Sequence, residues 1–308
     1  MSLSGSSAGP SGHVYWSTDS WFGGDAAVKT VPRGGGSLTT LAVGYHPGPV
    51  AVDGTNVYWI DSGPYPGNNG TVNEVPVGGG PVTTLASGQN GPSALAVDGA
   101  HVYWVNSDCC VSNGTVNEVP IGGGPVTTLA SGQDRPSAVA VDGTHVYWVN
   151  AGDCCAWNGT VNEVPVGGGT VTTLATGQIG PTSVAVDGTH VYWTAGGAVH
   201  EVPVGGGTVT TLATGQSPSY LAVDGTRVYW VDFGGTVNEV PVGGGTVTTL
   251  ATGQNPSSLA VDSTHAYWVN GGRSWPPSGT VNKVRLGGGP VVTLALGQGT
   301  PTAVAVGP

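Results

Sequence analysis

The sequence predicts an all-β fold, a seven-bladed β-propeller of four-stranded antiparallel blades whose ring is closed by the C-terminal strand. Three observations carry this prediction. A Tyr-Trp pair recurs at Tyr15-Trp16, Tyr58-Trp59, Tyr103-Trp104, Tyr147-Trp148, Tyr192-Trp193, Tyr229-Trp230 and Tyr267-Trp268. A Gly triplet begins at Gly34, Gly78, Gly122, Gly167, Gly205, Gly243 and Gly287, so both markers count seven units, 37 to 45 residues apart. That is the length four short strands and their turns require. Finally, the first unit starts directly at His13-Val14-Tyr15-Trp16, while the chain finishes on a surplus copy of the missing run, Thr302 to Val306. The surplus strand fits blade one and removes an open sheet edge. Residues 13–308 therefore read as one propeller, with 302–306 completing blade one and 1–12 a disordered tail or cloning scar.

The elements follow in order from the fourth unit. Strand A ends in Asp, Val139 to Asp142, and an Asp-Gly-Thr turn leads into strand B, Val146 to Val149, whose alternation puts Val146 and Trp148 on one face. Strand C spans Thr160 to Val166; its Val-x-x-Val spacing breaks the period of two and predicts a bulge. The Gly triplet supplies the positive φ of a tight hairpin, and strand D follows as Val171 to Ala175. The Asp closing each strand A (Asp53, Asp98, Asp142, Asp187, Asp224, Asp262) is expected to accept backbone hydrogen bonds in the A–B turn. The repeated Trp residues are expected between blades. Asn73-Glu74 and its copies on strand C are open to a second reading, a repeated surface site such as a multivalent lectin presents.

Composition fits many short strands joined by Gly-rich turns: 56 Gly, 23 Pro and only 8% charged residues, against about 25% in ordinary globular chains. With seven Lys and Arg and a net charge of −11, nucleic acid and anionic membranes are poor partners, since both need clustered cations. No run is long and apolar enough for a membrane span. Low charge and an even number of cysteines point to an exported, extracytoplasmic protein.

The VAVDG…VYW…V…V…L pattern resembles the NHL and YWTD classes of propeller, and is similar to streptogramin lyases and to sensor propellers of bacterial receptor kinases. The resemblance spans the chain and implies a ligand funnel on the face carrying the B–C and D–A loops. YWTD propellers usually have six blades and an acidic residue after Trp-Thr; here there are seven, most of them reading Val-Asn or Thr-Ala at that place, so a receptor role is not carried over. Streptogramin-lyase-like chemistry uses His and acidic groups with a divalent metal. Of the seven His, His13, His101, His145, His190 and His265 lie by the A–B turn, His200 replaces a repeated Asn of strand C, and only His46 lies in a D–A loop. No catalytic residue, metal or cofactor is therefore assigned.

Strands and hairpins are nearly copied between blades; the B–C loops are not. They are long in blades one to four (Ser17–Ala26, Asp61–Gly70, Asn106–Gly114, Asn150–Gly159) and seven (Asn270–Gly279), and short in five (Ala195–Gly197) and six (Asp232–Gly235). The five long loops are contiguous and predict a horseshoe wall open at blades five and six, suited to an extended ligand. Its candidate binding residues are Trp21, Phe22, Tyr65, Trp157, Trp275, Arg273, Asp61, Asp108 and Asp153; aromatic faces beside hydrogen-bonding groups suit sugars or Pro-rich peptides.

All four cysteines lie in two equivalent loops, as Cys109-Cys110 and Cys154-Cys155. Vicinal bridging is strained, because adjacent Cα atoms lie about 3.8 Å apart whereas ordinary bridges prefer roughly 4.4–6.8 Å. Cross-loop bridging must span on the order of 10 Å, well outside that range. Two vicinal disulfides are the favoured arrangement, with cross-loop bridges, free thiols and a four-Cys zinc site as alternatives. The reading favours a non-enzymatic binding propeller, its partner an extended peptide or glycan or a protein. A metal-assisted enzyme and a structural, homo-oligomerising module remain the competing classes.

Overall fold

The computed structural model describes residues 12–19, 26–63, 69–107, 113–152, 158–272 and 276–307. They form seven four-stranded antiparallel sheets. In blade four the strands are Pro136–Val141 (A), His145–Asn150 (B), Gly159–Pro165 (C) and Thr172–Gln178 (D), each one to a few residues longer or shifted from the sequence expectation. Strand C pairs with B in unbroken register, but its pairing with D shifts on either side of Val161. The bulge expected from the Val-x-x-Val spacing thus lies on the outer side of the strand. A second irregularity, between Pro136 and Ala138 where A meets B, was not foreseen. Gly167, Gly168 and Gly169 take φ of 79, 97 and 151° at the C–D hairpin, which no residue with a Cβ adopts easily.

The A strands touch one another in a closed cycle around the axis of the ring, and the D strands lie outermost. Closure is as predicted. Blade one is ordered Thr300–Val306, His13–Asp19, Ala27–Pro32, Thr39–Val43, with the C-terminal strand paired antiparallel to His13–Asp19. Charged groups reinforce this seam. Arg33 of blade one binds Asp262 of blade seven at 3.2 Å and donates to the carbonyl of Gly307, and Lys283 Nζ donates to the carbonyl of Arg33 at 2.6 Å.

Strand B is buried on both faces, which is why its run Val-Tyr-Trp-Val has no polar position. Val146 and Trp148 pack against Tyr103 and Val105 of blade three, whereas Tyr147 and Val149 pack against Val191 and Trp193 of blade five. The same Tyr-to-Trp contact recurs at the seam, with Tyr267 in one cluster with Trp16. The core is therefore a set of inter-blade layers, not a single centre.

On the lower face, where A–B and C–D turns lie, Asp142 Oδ1 accepts from Thr144 N (2.9 Å), Thr144 Oγ1 (2.7 Å) and His145 N (3.0 Å). This is the expected turn bracket. Its other oxygen accepts from Tyr147 Oη at 2.9 Å, a bond repeated at Tyr58, Tyr103, Tyr192, Tyr229 and Tyr267. Burial alone would raise the carboxyls of Asp53, Asp142, Asp187, Asp224 and Asp262, but the donated hydrogen bonds outweigh it and hold them below the ordinary range. Burial, then the bond to Asp, drives the paired tyrosines well above their ordinary value.

The strand-C Asn-Glu pairs are not a surface. Asn162 and Glu163 are 4% and 6% exposed. Asn162 is held by Thr160 and Thr173, and Glu163 accepts from Gly205 N of the next blade. Glu201 and Glu239 reach Gly243 and Gly287 in the same way. The repeat here is an inter-blade staple, which corrects the reading as a repeated sugar site. No helix among the described residues is long and apolar enough to cross a membrane.

Candidate functional site

The upper face carries the ends of strand B and the D–A connections. At five junctions the Trp of strand B donates from Nε1 to the Gln at the start of the preceding D–A connection: Trp104 to Gln89 (2.9 Å), Trp148 to Gln133 (2.8 Å), Trp193 to Gln178 (2.8 Å), Trp268 to Gln254 (3.1 Å) and Trp16 to Gln298 (3.3 Å). This clasp fixes each upper rim to its neighbour. Two junctions depart from it.

The first is between blades one and two, where Tyr45-His46 replaces the Gln segment. His46 Nδ1 lies 2.6 Å from Asp19 Oδ1. Asp61, a sequence-predicted binding residue, accepts from Tyr45 N (2.6 Å), His46 N (3.0 Å) and Gly63 N (3.1 Å) and is 9% exposed. It organises the loop that presents His46. Chemically, the junction offers an imidazole braced by a carboxylate.

The second is between blades five and six. Gln216 is present, but its side chain makes no clasp, and Trp230 Nε1 is buried without a hydrogen-bond partner. Beside this joint is a pocket of about 420 Å³, lined by Ile179, Thr182, Ala195, Ser217, Pro218 and Phe233 among others. Ile179 is 49% and Phe233 83% exposed. None of the lining residues is charged. Behind it, His200 stacks on Trp193 with ring centroids 5.4 Å apart and meets Thr211 Oγ1 at 3.1 Å; burial lowers its pKa. His200 thus takes over the structural place of the repeated Asn.

The pocket occupies the gap predicted in the horseshoe. Sequence reasoning located the gap but looked for binding residues only in the long loops. Phe233 was legible as the single aromatic in a short B–C loop, where the other short loop has only Ala and Gly. Trp21, Phe22, Tyr65, Asp108, Asp153, Trp157, Arg273, Trp275 and the four cysteines Cys109, Cys110, Cys154 and Cys155 lie outside the described residues. Among the described residues no group of three or more His, Cys, Asp or Glu is placed to hold a metal ion.

No protein-family model matches the chain, and no curated protein resembles it in sequence. Solved structures do match its fold. A putative 6-phosphogluconolactonase from Bacteroides fragilis superposes with a TM-score of 0.68 at 14% identity, covering 98% of this chain and 99% of that one. This chain is a seven-bladed β-propeller. A nidogen/laminin complex gives a TM-score of 0.58 at 16% identity over 75% of this chain and 89% of that one. TolB from Acinetobacter baumannii gives 0.58 at 13% identity, over 96% and 67%. At these identities the likeness concerns the propeller fold, a scaffold for binding or for enzymes alike.

Proposed function

We propose that this propeller is a non-enzymatic binding module of the NHL/YWTD-like kind, which takes an extended peptide segment of a protein partner on its upper face. The observation that carries this is the uncharged pocket between blades five and six, with Phe233 83% exposed at its rim. A side chain of that size facing water costs free energy unless a partner covers it. The absence of charge and the Ile, Ala and Pro lining suit a peptide side chain better than a sugar, whose hydroxyls need polar partners. The unclasped Gln216 amide supplies a hydrogen-bonding group for a peptide carbonyl, and the aromatics of the long loops extend the track around the horseshoe. A nidogen/laminin complex among the fold neighbours is a propeller structure with a protein partner.

Peptide and glycan arrays probed with the intact protein test this. Phe233→Ala is expected to weaken binding to the retained peptides by at least about 1 kcal/mol, as for a buried aromatic anchor, with an unchanged melting temperature. Trp157→Ala and Trp275→Ala are expected to do the same if the track runs along the wall. Retention of glycans alone, with Phe233→Ala binding normally, would overturn the reading.

The His46–Asp19 pair favours a second reading, a hydrolase using a carboxylate-braced imidazole as general base. Turnover of a sugar lactone, the substrate class named for the Bacteroides neighbour, that is abolished by His46→Ala would establish it over the first.

The proposal includes export, with Cys109 joined to Cys110 and Cys154 to Cys155. Mass spectrometry of a non-reduced digest is expected to find both vicinal bridges and no free thiol. Peptides linking residue 109 or 110 to 154 or 155 would refute the pairing.

A further inference from the structure

Each Gly triplet turns from strand C to strand D on the lower face, beside strand C of the preceding blade. At three junctions a Glu of that strand accepts from the first amide of the triplet: Gly205 N to Glu163 (3.4 Å), Gly243 N to Glu201 (3.3 Å) and Gly287 N to Glu239 (3.4 Å). Glu74 and Glu118 stand in the same place before Gly122 and Gly167. In all five triplets the first glycine takes φ of 77 to 79°. The other two triplets face no Glu, since blade one carries Thr30 and blade seven Lys283 at that position. Their first glycines, Gly78 and Gly34, lie outside the positive-φ region. Carboxylate and turn conformation go together, as they do where the amides of a glycine turn cradle an anion.

The two exceptions differ in charge. At Gly78 the replacement is neutral, and Thr30 Oγ1 donates to the carbonyl of Val14 (3.0 Å). At Gly34 three cations gather. Lys283 Nζ reaches the carbonyl of Arg33 (2.6 Å), and Arg33 is paired with Asp262 (3.2 Å). Arg285, exposed, is the strand partner of His265 and stands where the six other blades have Pro. Among the described residues neither Lys283 nor Arg285 has a carboxylate partner. Burial first, and then the charges of Lys283, Arg285 and Arg33, hold the imidazole of His265 below its ordinary range. On a chain of net charge −11 this corner is a positive island.

We propose that the Gly34 turn, with Lys283 and Arg285, is an anion site that takes a carboxylate from outside the chain, in the place where other blades supply their own. The carboxylate is carried by an acidic peptide or by a small organic acid. Its oxygens accept from the Gly34 amide and pair with Lys283 and Arg285, charge-assisted contacts stronger than neutral ones. Binding draws Gly34 into the positive-φ turn of the other triplets, which glycine adopts without steric cost. The site lies on the face opposite the pocket of blades five and six and stands apart from that reading.

Titration of the full chain at low ionic strength with tetraglutamate, glutarate and inorganic phosphate tests this, followed by calorimetry and by the 15N shift of the Gly34 amide. The carboxylate probes are expected to bind and to move that amide. Arg285→Ala is expected to weaken binding at least about tenfold, through loss of one charge-assisted contact. Gly34→Ala is expected to melt as the parent does, because φ here admits a Cβ and nothing stands within 4 Å of one. It is expected to bind at least about fivefold more weakly, because the bound turn resists a Cβ. Lys283→Glu restores the internal carboxylate and is expected to abolish binding. Tetraglutamate bound in preference to glutarate assigns a peptide source, and equal affinity assigns a small acid; either supports the site. Binding of phosphate alone overturns the carboxylate. A Gly34 amide unmoved by every probe, or affinity unchanged in both Arg285→Ala and Lys283→Glu, overturns the site.

Discussion

Deleting Thr300–Pro308 is expected to cost about 5 kcal/mol or more, most of the stability of a typical domain, and to leave a protein that aggregates. The segment supplies the innermost strand of blade one and pairs with Val14 through Asp19. Its Val304 and Ala305 are 6% and 8% exposed, and Thr302 reaches the carbonyl of Pro47 in blade two at 3.2 Å. Loss of the strand also releases Arg33 from Gly307 and bares an unpaired edge beside Trp16, which is wholly buried in the intact ring. Thermal unfolding and size-exclusion chromatography of the truncated chain measure the effect. A synthetic peptide of residues 300–308 added in trans is expected to restore both, by strand complementation. A truncated protein that melts as the parent does and elutes as it does would mean that the ring is not held by this strand.

The second large effect is at alkaline pH. Six tyrosines are buried and donate to aspartates, and each is held protonated far above its ordinary value of about 10. The folded state keeps these protons where the unfolded chain would release them. The stabilisation is therefore complete below about pH 10 and is lost as pH rises further. Six groups acting together make the decline steep, so the protein is expected to unfold cooperatively in alkali. Phenolate absorbance near 295 nm is expected to rise together with the loss of near-ultraviolet circular dichroism. Titration of all tyrosines near pH 10 with the fold intact would count against the Asp–Tyr pairing. At the other end of the scale the depressed aspartates lose their contribution as pH falls below about 4, a weaker effect because they are partly exposed.

What could be read from the sequence was what repeats. A residue that recurs six or seven times reports one local structure through that many copies, so blade number, the closing strand, the Asp turn bracket and the inter-blade Trp were legible. Function of a repeated residue was less so. Glu163 looks like a surface charge by type, and only the arrival of the next blade's Gly205 shows that it is a staple. The Asp–Tyr bond did have a signal, the constant spacing of five from Asp142 to Tyr147, but strand period alone does not say that a turn residue folds back onto the strand it precedes. The candidate site was half legible. Loop lengths placed the opening at blades five and six, whereas the anchors there were hidden because Phe233 and Ile179 are single residues with no copy to compare. At Asp61 a carboxylate that opens a variable loop accepts from the amides of the neighbouring D–A connection, Tyr45 and His46, as well as from Gly63 of its own loop.

Ring closure has a consequence for synthesis. Asp19, at the end of the strand His13–Asp19 of blade one, pairs with Thr300, which follows it by 281 residues. At about 5–20 residues per second, blade one waits roughly 15 to 60 seconds for its innermost strand, while the later blades, each contiguous in sequence, form behind it. Throughout that interval the growing chain carries an open strand edge of alternating Val, Trp and Thr, next to newly made copies of the very strand it lacks.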